Sequence, residues 1–305
     1  MRGIAGGACF APPTVTNAVH VPLESSLDLD CSSCDPMPTP LTPGLNSVFE
    51  LEGVGKQFGG NPVLRDLTFS VASGEQVAVI GPSGAGKTTL FRLLSAFILP
   101  SQGKIRSLGL DTARLRGRSL RRLRRDIGVI YQNENLVPHL RVVHNVLMGR
   151  LGYWHWPRAL LSLFWPQQLD LARDALRQVE IEDKIWSLPG ELSGGQQQRV
   201  AIARLIVQNP RVVLADEPVS QLDIRLGRDV INLLARLATD RKATLMVNLH
   251  SLDLLEGNFS RVIALREGAL FWQGAPAEIT RDLLQDLYGA EYRALHLDQL
   301  ALGKA

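Results

Sequence analysis

The stretch QVAVIGPSGAGKTTLFRLLSAF, from Gln76 to Phe97, decides the fold. It opens on a short apolar run that reads as a buried strand and closes on helix-like apolar spacing. Between them Gly81, Pro82, Ser83, Gly84, Ala85, Gly86, Lys87, Thr88 and Thr89 fit the pattern G-x-x-x-x-G-K-[ST]. Gly81, Gly84 and Gly86 let backbone N–H groups converge on phosphate oxygens with no Cβ in the way. The following helix adds the partial positive charge of its N-terminus. Lys87 is placed to reach β- and γ-phosphates, and the Thr88 hydroxyl to ligate Mg²⁺. A glycine-rich strand-to-helix turn without a ligand is the bland alternative, and the strand, the lysine and the threonine in their required context argue against it.

Reading outward, a second apolar strand in RVVLADEP (Arg211–Pro218) ends in two carboxylates. In a parallel sheet its C-terminal end lies where such sheets bind ligands. Asp216 is then placed to hold Mg²⁺, and Glu217 to orient or deprotonate an attacking water. An Asp-Glu pair at a strand end is often only a solvated turn; beside a phosphate loop it indicates nucleoside triphosphate hydrolysis. VFELEGVGKQF (Val48–Phe58) alternates like a strand, and LRDLTFSVASGEQVAVIG (Leu64–Gly81) reads as two strands joined at Ser73-Gly74-Glu75. Strand and helix patterns alternate to about Leu287, which predicts an α/β fold with a largely parallel central sheet.

The bulk properties set outer bounds. A chain of 305 residues at 45% hydrophobic has ample core. Net charge is +3, too small to imply nucleic acid by itself, although residues 1–47 hold Arg2 against Glu24, Asp28, Asp30 and Asp35, so the remainder is more basic. No apolar run approaches the roughly 20 residues of a membrane span, and no signal peptide is evident. The three cysteines, Cys9, Cys31 and Cys34, fall in a Pro/Ser/Thr-rich stretch. The spacing Cys31-x-x-Cys34 lacks the second ligand pair of a zinc site. Residues 1–46 are expected to be a disordered extension, and residues 291–305 a short helical tail.

LSGGQQQRVAIAR (Leu192–Arg204) supplies a second Ser-Gly-Gly turn entering a helix, hence a second anion-binding helix end. Two such ends for one nucleotide make sense if one belongs to another subunit. This stretch resembles the signature of the ATP-binding cassette (ABC) ATPases, in which two subunits sandwich two ATP head to tail. The resemblance covers residues 48 to about 275, with the other family motifs in order. It implies an ABC-type P-loop core, an antiparallel β subdomain and an inserted α-helical subdomain at about 133–200, within a nucleotide-binding domain at 47–290. It also implies that Gln132 contacts Mg²⁺ and the membrane partner, that SQLD (Ser220–Asp223) crosses the dimer with Asp223 near nucleotide, and that His250 meets the γ-phosphate. Phe58 stands where the family stacks a ring on adenine, and Ser193, Gly194, Gly195 and Gln196 act on the nucleotide of the other subunit. Taken singly, Phe58 reads as core, Gln132 as surface and His250 as a strand-end cap. SQLD in place of the commoner SALD, and Ile224 where many members carry Pro, remove no charged or hydrogen-bonding group from this set.

The stretch LRRLRRDIGVIYQNENLVPHLRVVHNVLMGRLGYWHWPRALLSLF (Leu120–Phe164) is similar to the ATPase subunit of phosphonate importers, as are ADEPV (Ala215–Val219) and VNLH (Val247–His250). The resemblance implies ATP and Mg²⁺ as cofactors, a homodimer of ATPase subunits, separate transmembrane permease chains and, indirectly, a periplasmic phosphonate-binding protein. The expected place is peripheral, on the cytoplasmic face of the inner membrane. Phosphite or phosphate import, or a non-transport cassette role, are the competing readings. Seven arginines from Arg114 to Arg125, interleaved with Leu115, Leu120 and Leu123, predict an amphipathic helix rather than a nucleic-acid grip. In GRLGYWHWPRALLSLFW (Gly149–Trp165), Leu160, Leu163 and Phe164 are expected in the core, and Tyr153, Trp154 and Arg158 on a partner-docking face.

Overall fold

Alternating burial along its second strand marks the first hairpin. β1 (Ser47–Phe58) and β2 (Asn61–Ala72) pair antiparallel, and along β2 Leu67, Phe69 and Val71 are buried while Asp66 and Thr68 face out. The computed structural model describes residues 47–131, 136–154, 161–162, 166–220, 222–255 and 257–292. Outside them lie the extension 1–46 with its cysteines, Gln132, Trp156, Arg158, Leu160, Leu163, Phe164, Trp165 and the tail beyond 292.

The chain continues through β3 (Gln76–Ile80), α1 (Lys87–Leu94), β4 (Gln102–Ser107), β5 (Leu110–Asp111), α2 (Gly117–Asp126) and β6 (Ile127–Ile130). Next come α3 (Val142–Leu147), α4 (Leu169–Gln178), α5 (Gly194–Gln208), β7 (Val212–Asp216) and α6 (Ile224–Asp240). β8 (Thr244–Asn248), β9 (Arg261–Arg266), β10 (Ala269–Gly274) and α7 (Arg281–Tyr288) complete the described elements. One sheet has the order β2-β1-β4-β5, with all its pairings antiparallel. The other runs β10-β9-β3-β8-β7-β6, parallel except for β10 on β9.

The parallel sheet is apolar on both faces, and each face feeds its own core. Val77 and Val79 of β3, with Val212 and Leu214 of β7, join Phe49, Leu51, Phe69, Phe91 and Leu94 between the sheets. Ala78, Ile80, Val213 and Ala215 point the other way, onto Val200, Ile202 and Ala203 of α5 and Val230, Ile231 and Leu234 of α6. Strands buried on both faces must run apolar up to their first polar side chain. In β7 that side chain is Asp216.

Helices α3, α4 and α5 pack on one another. Asn145, wholly buried in α3, accepts from the Val137 N–H at 2.7 Å and donates to the Leu140 carbonyl at 2.8 Å, so one amide fastens the loop ahead of its own helix. The arginine-rich segment forms α2, with Leu123 buried and Leu115 beneath the preceding turn. Trp154 departs from expectation. It is only 4% exposed and belongs to the core with Val143, Val146 and Leu176, so it is a packing residue rather than part of a docking face. Among the described residues no helix is long and apolar enough to cross a membrane.

Candidate functional site

The phosphate loop owes its path to two glycines. Gly81 has φ +146°, and a Cβ there would lie 2.1 Å from the Leu265 carbonyl oxygen. Gly86 has φ +95°, and a Cβ would meet the Leu64 side chain at 2.5 Å. Only glycine fits both conformation and space at these points. Gly86 is also the N-cap of α1 and offers no side chain, so the first amides of α1 find no side-chain cap.

Lys87 is buried at the loop's centre, and its Nζ donates to the Gly81 and Pro82 carbonyls at 2.7 and 3.0 Å. Burial lowers the pKa of this ammonium, while the carboxylates of Glu217, Asp216 and Glu291 act in the opposite direction. Thr88 Oγ1 donates to Asp216 Oδ1 at 3.2 Å, joining α1 to the end of β7. Asn248, at the end of β8, donates from Nδ2 to the same oxygen at 2.7 Å. Burial raises the pKa of Asp216, and the hydrogen bonds from Asn248 and Thr88 oppose that rise.

Glu217 takes φ +52°, an uncommon conformation for a residue with a Cβ, and turns the chain sharply at the strand end. Its Oε1 lies 2.6 Å from His250 Nε2, within hydrogen-bond distance. Val63, Ser83 to Thr89, Glu217 and His250 line one open cleft of about 460 Å³. Phe58 is 47% exposed at the end of β1, with Lys56 Nζ 5.0 Å from its ring centroid, so the ring is available for stacking.

Ser193 to Gln196 do not line this cleft. Ser193 caps α5, accepting from the Gln196 N–H at 3.3 Å while Gln196 Oε1 accepts from the Ser193 N–H at 3.0 Å. Gly195 packs so closely on α6 that a Cβ would lie 2.5 Å from Leu226. Asp223 caps α6, accepting from the Leu226 N–H at 2.9 Å. Ile224 occupies the first position of that helix, where proline is also favoured. Gln132 lies outside the described residues.

Two contacts escaped the sequence reading. The Ser83 N–H donates to Glu291 Oε2 at 3.4 Å, which sets a carboxylate from the far end of the chain against the phosphate loop. Tyr288 buries its hydroxyl near the Gly81 backbone without a hydrogen bond of proper geometry, and burial pushes its pKa up to about 12. No local signal marks either residue. Asn248 did have one, as a lone amide closing the apolar strand TLMVN.

A P-loop between two sheets, an Asp-Glu strand end and a facing histidine define a nucleotide-hydrolysing cassette. The ABC transporter family pattern matches residues 64–220, and the chain belongs to that family. It is an ATP-hydrolysing enzyme coupled to transport. It is 42% identical over 232 residues to the phosphonates import ATP-binding protein PhnC of Pseudomonas fluorescens strain Pf0-1, spanning 76% of this chain and 88% of that protein. With the protein of the same name from Pseudomonas putida it shares 41% over 249 residues, 82% of this chain and 93% of the other. Among solved structures, the dimeric post-hydrolysis cassette MJ0796 bound to ADP and Pi matches with a TM-score of 0.65 and 30% identity, covering 75% of this chain and 98% of that one. A bacterial Atm1-family ABC exporter with ATP bound matches with a TM-score of 0.67 and 27% identity, covering 87% of this chain and 44% of the exporter.

Proposed function

We propose that this chain is the ATPase subunit that energises phosphonate import, with residues 47–290 as its nucleotide-binding unit. The observation that carries the reading is the convergence of Lys87, Thr88, Glu217 and His250 on one cleft, with Asp216 hydrogen-bonded to Thr88 at its edge, in a chain 42% identical to a phosphonates import ATP-binding protein.

In this reading the amides of residues 84–89 and the Lys87 ammonium hold the ATP phosphates, and Phe58 stacks on the adenine. Lys87 then exchanges the Gly81 and Pro82 carbonyls for phosphate oxygens, which compensate its charge better than neutral carbonyls do. The donor set fits Mg²⁺. The Thr88 hydroxyl and Asp216 carboxylate are hard oxygen ligands 3.2 Å apart, and Mg²⁺ prefers one or two carboxylates supplemented by phosphates and water. Among the described residues no group of three or more His, Cys, Asp or Glu could hold a metal alone, as suits a site completed by nucleotide. Thr88, Asp216 and Gln132 would hold the ion, which when bound neutralises charge developing on the phosphates. Glu217 orients and deprotonates the attacking water, and His250 donates to the γ-phosphate.

Ser193, Gly194, Gly195 and Gln196, with Asp223 nearby, serve the nucleotide of a second copy, so the working unit is a homodimer. It docks peripherally on separate permease chains at the cytoplasmic face of the membrane, and through them serves a periplasmic phosphonate-binding protein. The docking face is assigned to the cleft lined by Arg118, Arg122 and Tyr153, which the largely buried Trp154 also borders. Tyr153 is 38% exposed there, with the Arg125 and Arg150 guanidinium groups 4.9 and 4.4 Å from its ring centroid.

The test is Glu217→Gln. Steady-state hydrolysis is expected to fall at least about 100-fold, with ATP retained in a closed dimer. Unchanged hydrolysis overturns the assignment of the base. For the cargo, a deletion strain is expected to lose growth on a phosphonate as sole phosphorus source and keep it on phosphate; loss on phosphite alone overturns the phosphonate reading.

A further inference from the structure

Asn248 stands where an apolar strand has no need of an amide. The four residues before it in β8, Thr244 to Val247, are fully buried, and Asn248 is itself 0% exposed. A buried amide is costly unless hydrogen-bonded, so its partners disclose its purpose. The parallel register sets Asn248 directly opposite Asp216. Paired positions share a sheet face, and Nδ2 accordingly meets Asp216 Oδ1 at 2.7 Å. A carboxylate only accepts, which fixes the amide with nitrogen toward Asp216. Thr88 Oγ1 donates to that same Oδ1, so two donors converge on one oxygen, while Asp216 Oδ2 accepts from no described residue. The carbonyl Oδ1 of Asn248 is buried and also has no partner among the described residues.

We infer that Asn248 is a positioning residue for the cation-binding carboxylate: it clamps Asp216 Oδ1 and leaves Oδ2 for Mg²⁺. The inference rests on the reading of Asp216 as an Mg²⁺ ligand. The hydrogen bonds of a ligating carboxylate set its orientation, and losing such a partner costs about 10- to 100-fold in metal affinity. Asn248 touches neither nucleotide nor reacting atoms in this scheme, so its loss acts on the metal and spares metal-free nucleotide binding.

The experiment uses the full chain with a non-hydrolysable ATP analogue, and reads Mn²⁺ affinity by electron paramagnetic resonance and nucleotide affinity in EDTA by fluorescence. Asn248→Val keeps bulk and strand propensity while deleting the donor. It is expected to weaken Mn²⁺ binding at least about 10-fold and to raise the Mg²⁺ requirement of hydrolysis in parallel, with metal-free nucleotide affinity within about two-fold of the parent. Asn248→Ser restores a donor and is expected to recover part of the Mn²⁺ affinity; it also serves if the valine variant does not fold. Asp216→Asn separates the two levels of argument. Mn²⁺ affinity lost in Asp216→Asn but unchanged in folded Asn248→Val and Asn248→Ser overturns the positioning role alone. Affinity unchanged in Asp216→Asn overturns the ligand reading beneath it.

Discussion

The phosphate loop is held open by single atoms that are absent, and the two kinds of absence differ in energy. At Gly81 a methyl group would both strain the backbone and drive into the Leu265 carbonyl at 2.1 Å. At Gly84, with φ +78°, a methyl group meets nothing within 4 Å, so only the conformational penalty applies. Gly84→Ala is therefore expected to cost about 1–2 kcal/mol and to retain nucleotide binding in part. Gly81→Ala adds overpacking against fixed backbone, for a total of about 3 kcal/mol or more, and is expected to abolish binding. Urea midpoints and nucleotide titration of the two variants check this order, and equal losses would refute it. The loop's glycines, its lysine and its threonine were legible in the sequence because their spacing is local. The Asn248–Asp216 clamp was not, since it spans 32 positions and depends on which two strands become neighbours.

Among the elements, α7 shows what sequence pattern leaves out. Nothing local in the sequence says that Tyr288 will end beside Gly81, or that Glu291 will reach Ser83 across 208 positions. The hairpin and the parallel strands were readable because alternation and continuous apolar runs follow directly from one or two buried faces. Trp154 was misplaced for the same reason that α7 was incomplete: a tryptophan among arginines suits a docking face and a core equally until distant partners such as Leu176 are known. The docking of α7 has a measurable signature. The Tyr288 phenol ionises near pH 10 in the unfolded chain and at about 12 in the fold, so the folded state keeps its proton longer. Its contribution is complete below pH 10 and is lost as pH rises toward 12, at up to about 1.4 kcal/mol per pH unit. Tyr288→Phe, which removes a buried hydroxyl without a hydrogen bond, is expected to be as stable as the parent or slightly more so at pH 7. Its unfolding free energy should fall less steeply above pH 10. Denaturant melts from pH 7 to 11.5 decide the matter, and parallel curves for the two proteins would place Tyr288 in water.

For the whole molecule, the central fact is that the phosphate loop and the Ser193–Gln196 helix end do not line the same cleft. The phosphate loop, Glu217 and His250 line one cavity to which Ser193–Gln196 contribute nothing, so a single copy offers a nucleotide only half of the groups assigned to it. In the proposed homodimer a second copy placed head to tail would supply the rest; the similar MJ0796 cassette is itself dimeric. Ser193 allows the two roles of its position to be separated. Its hydroxyl caps α5 by accepting from the Gln196 N–H, and aspartate caps a helix as well as serine does. Ser193→Asp therefore leaves the fold intact while setting a fixed negative charge where the partner's γ-phosphate is to sit, and like charges at such a contact cost several kcal/mol. In a Glu217→Gln background the parent is expected to form a stable dimer with ATP. The Ser193→Asp version is expected to bind ATP with unchanged affinity, remain a monomer by light scattering, and lose hydrolysis when Glu217 is restored. Normal ATP-driven dimerisation of that variant would mean that the Ser193 turn faces away from the partner's nucleotide.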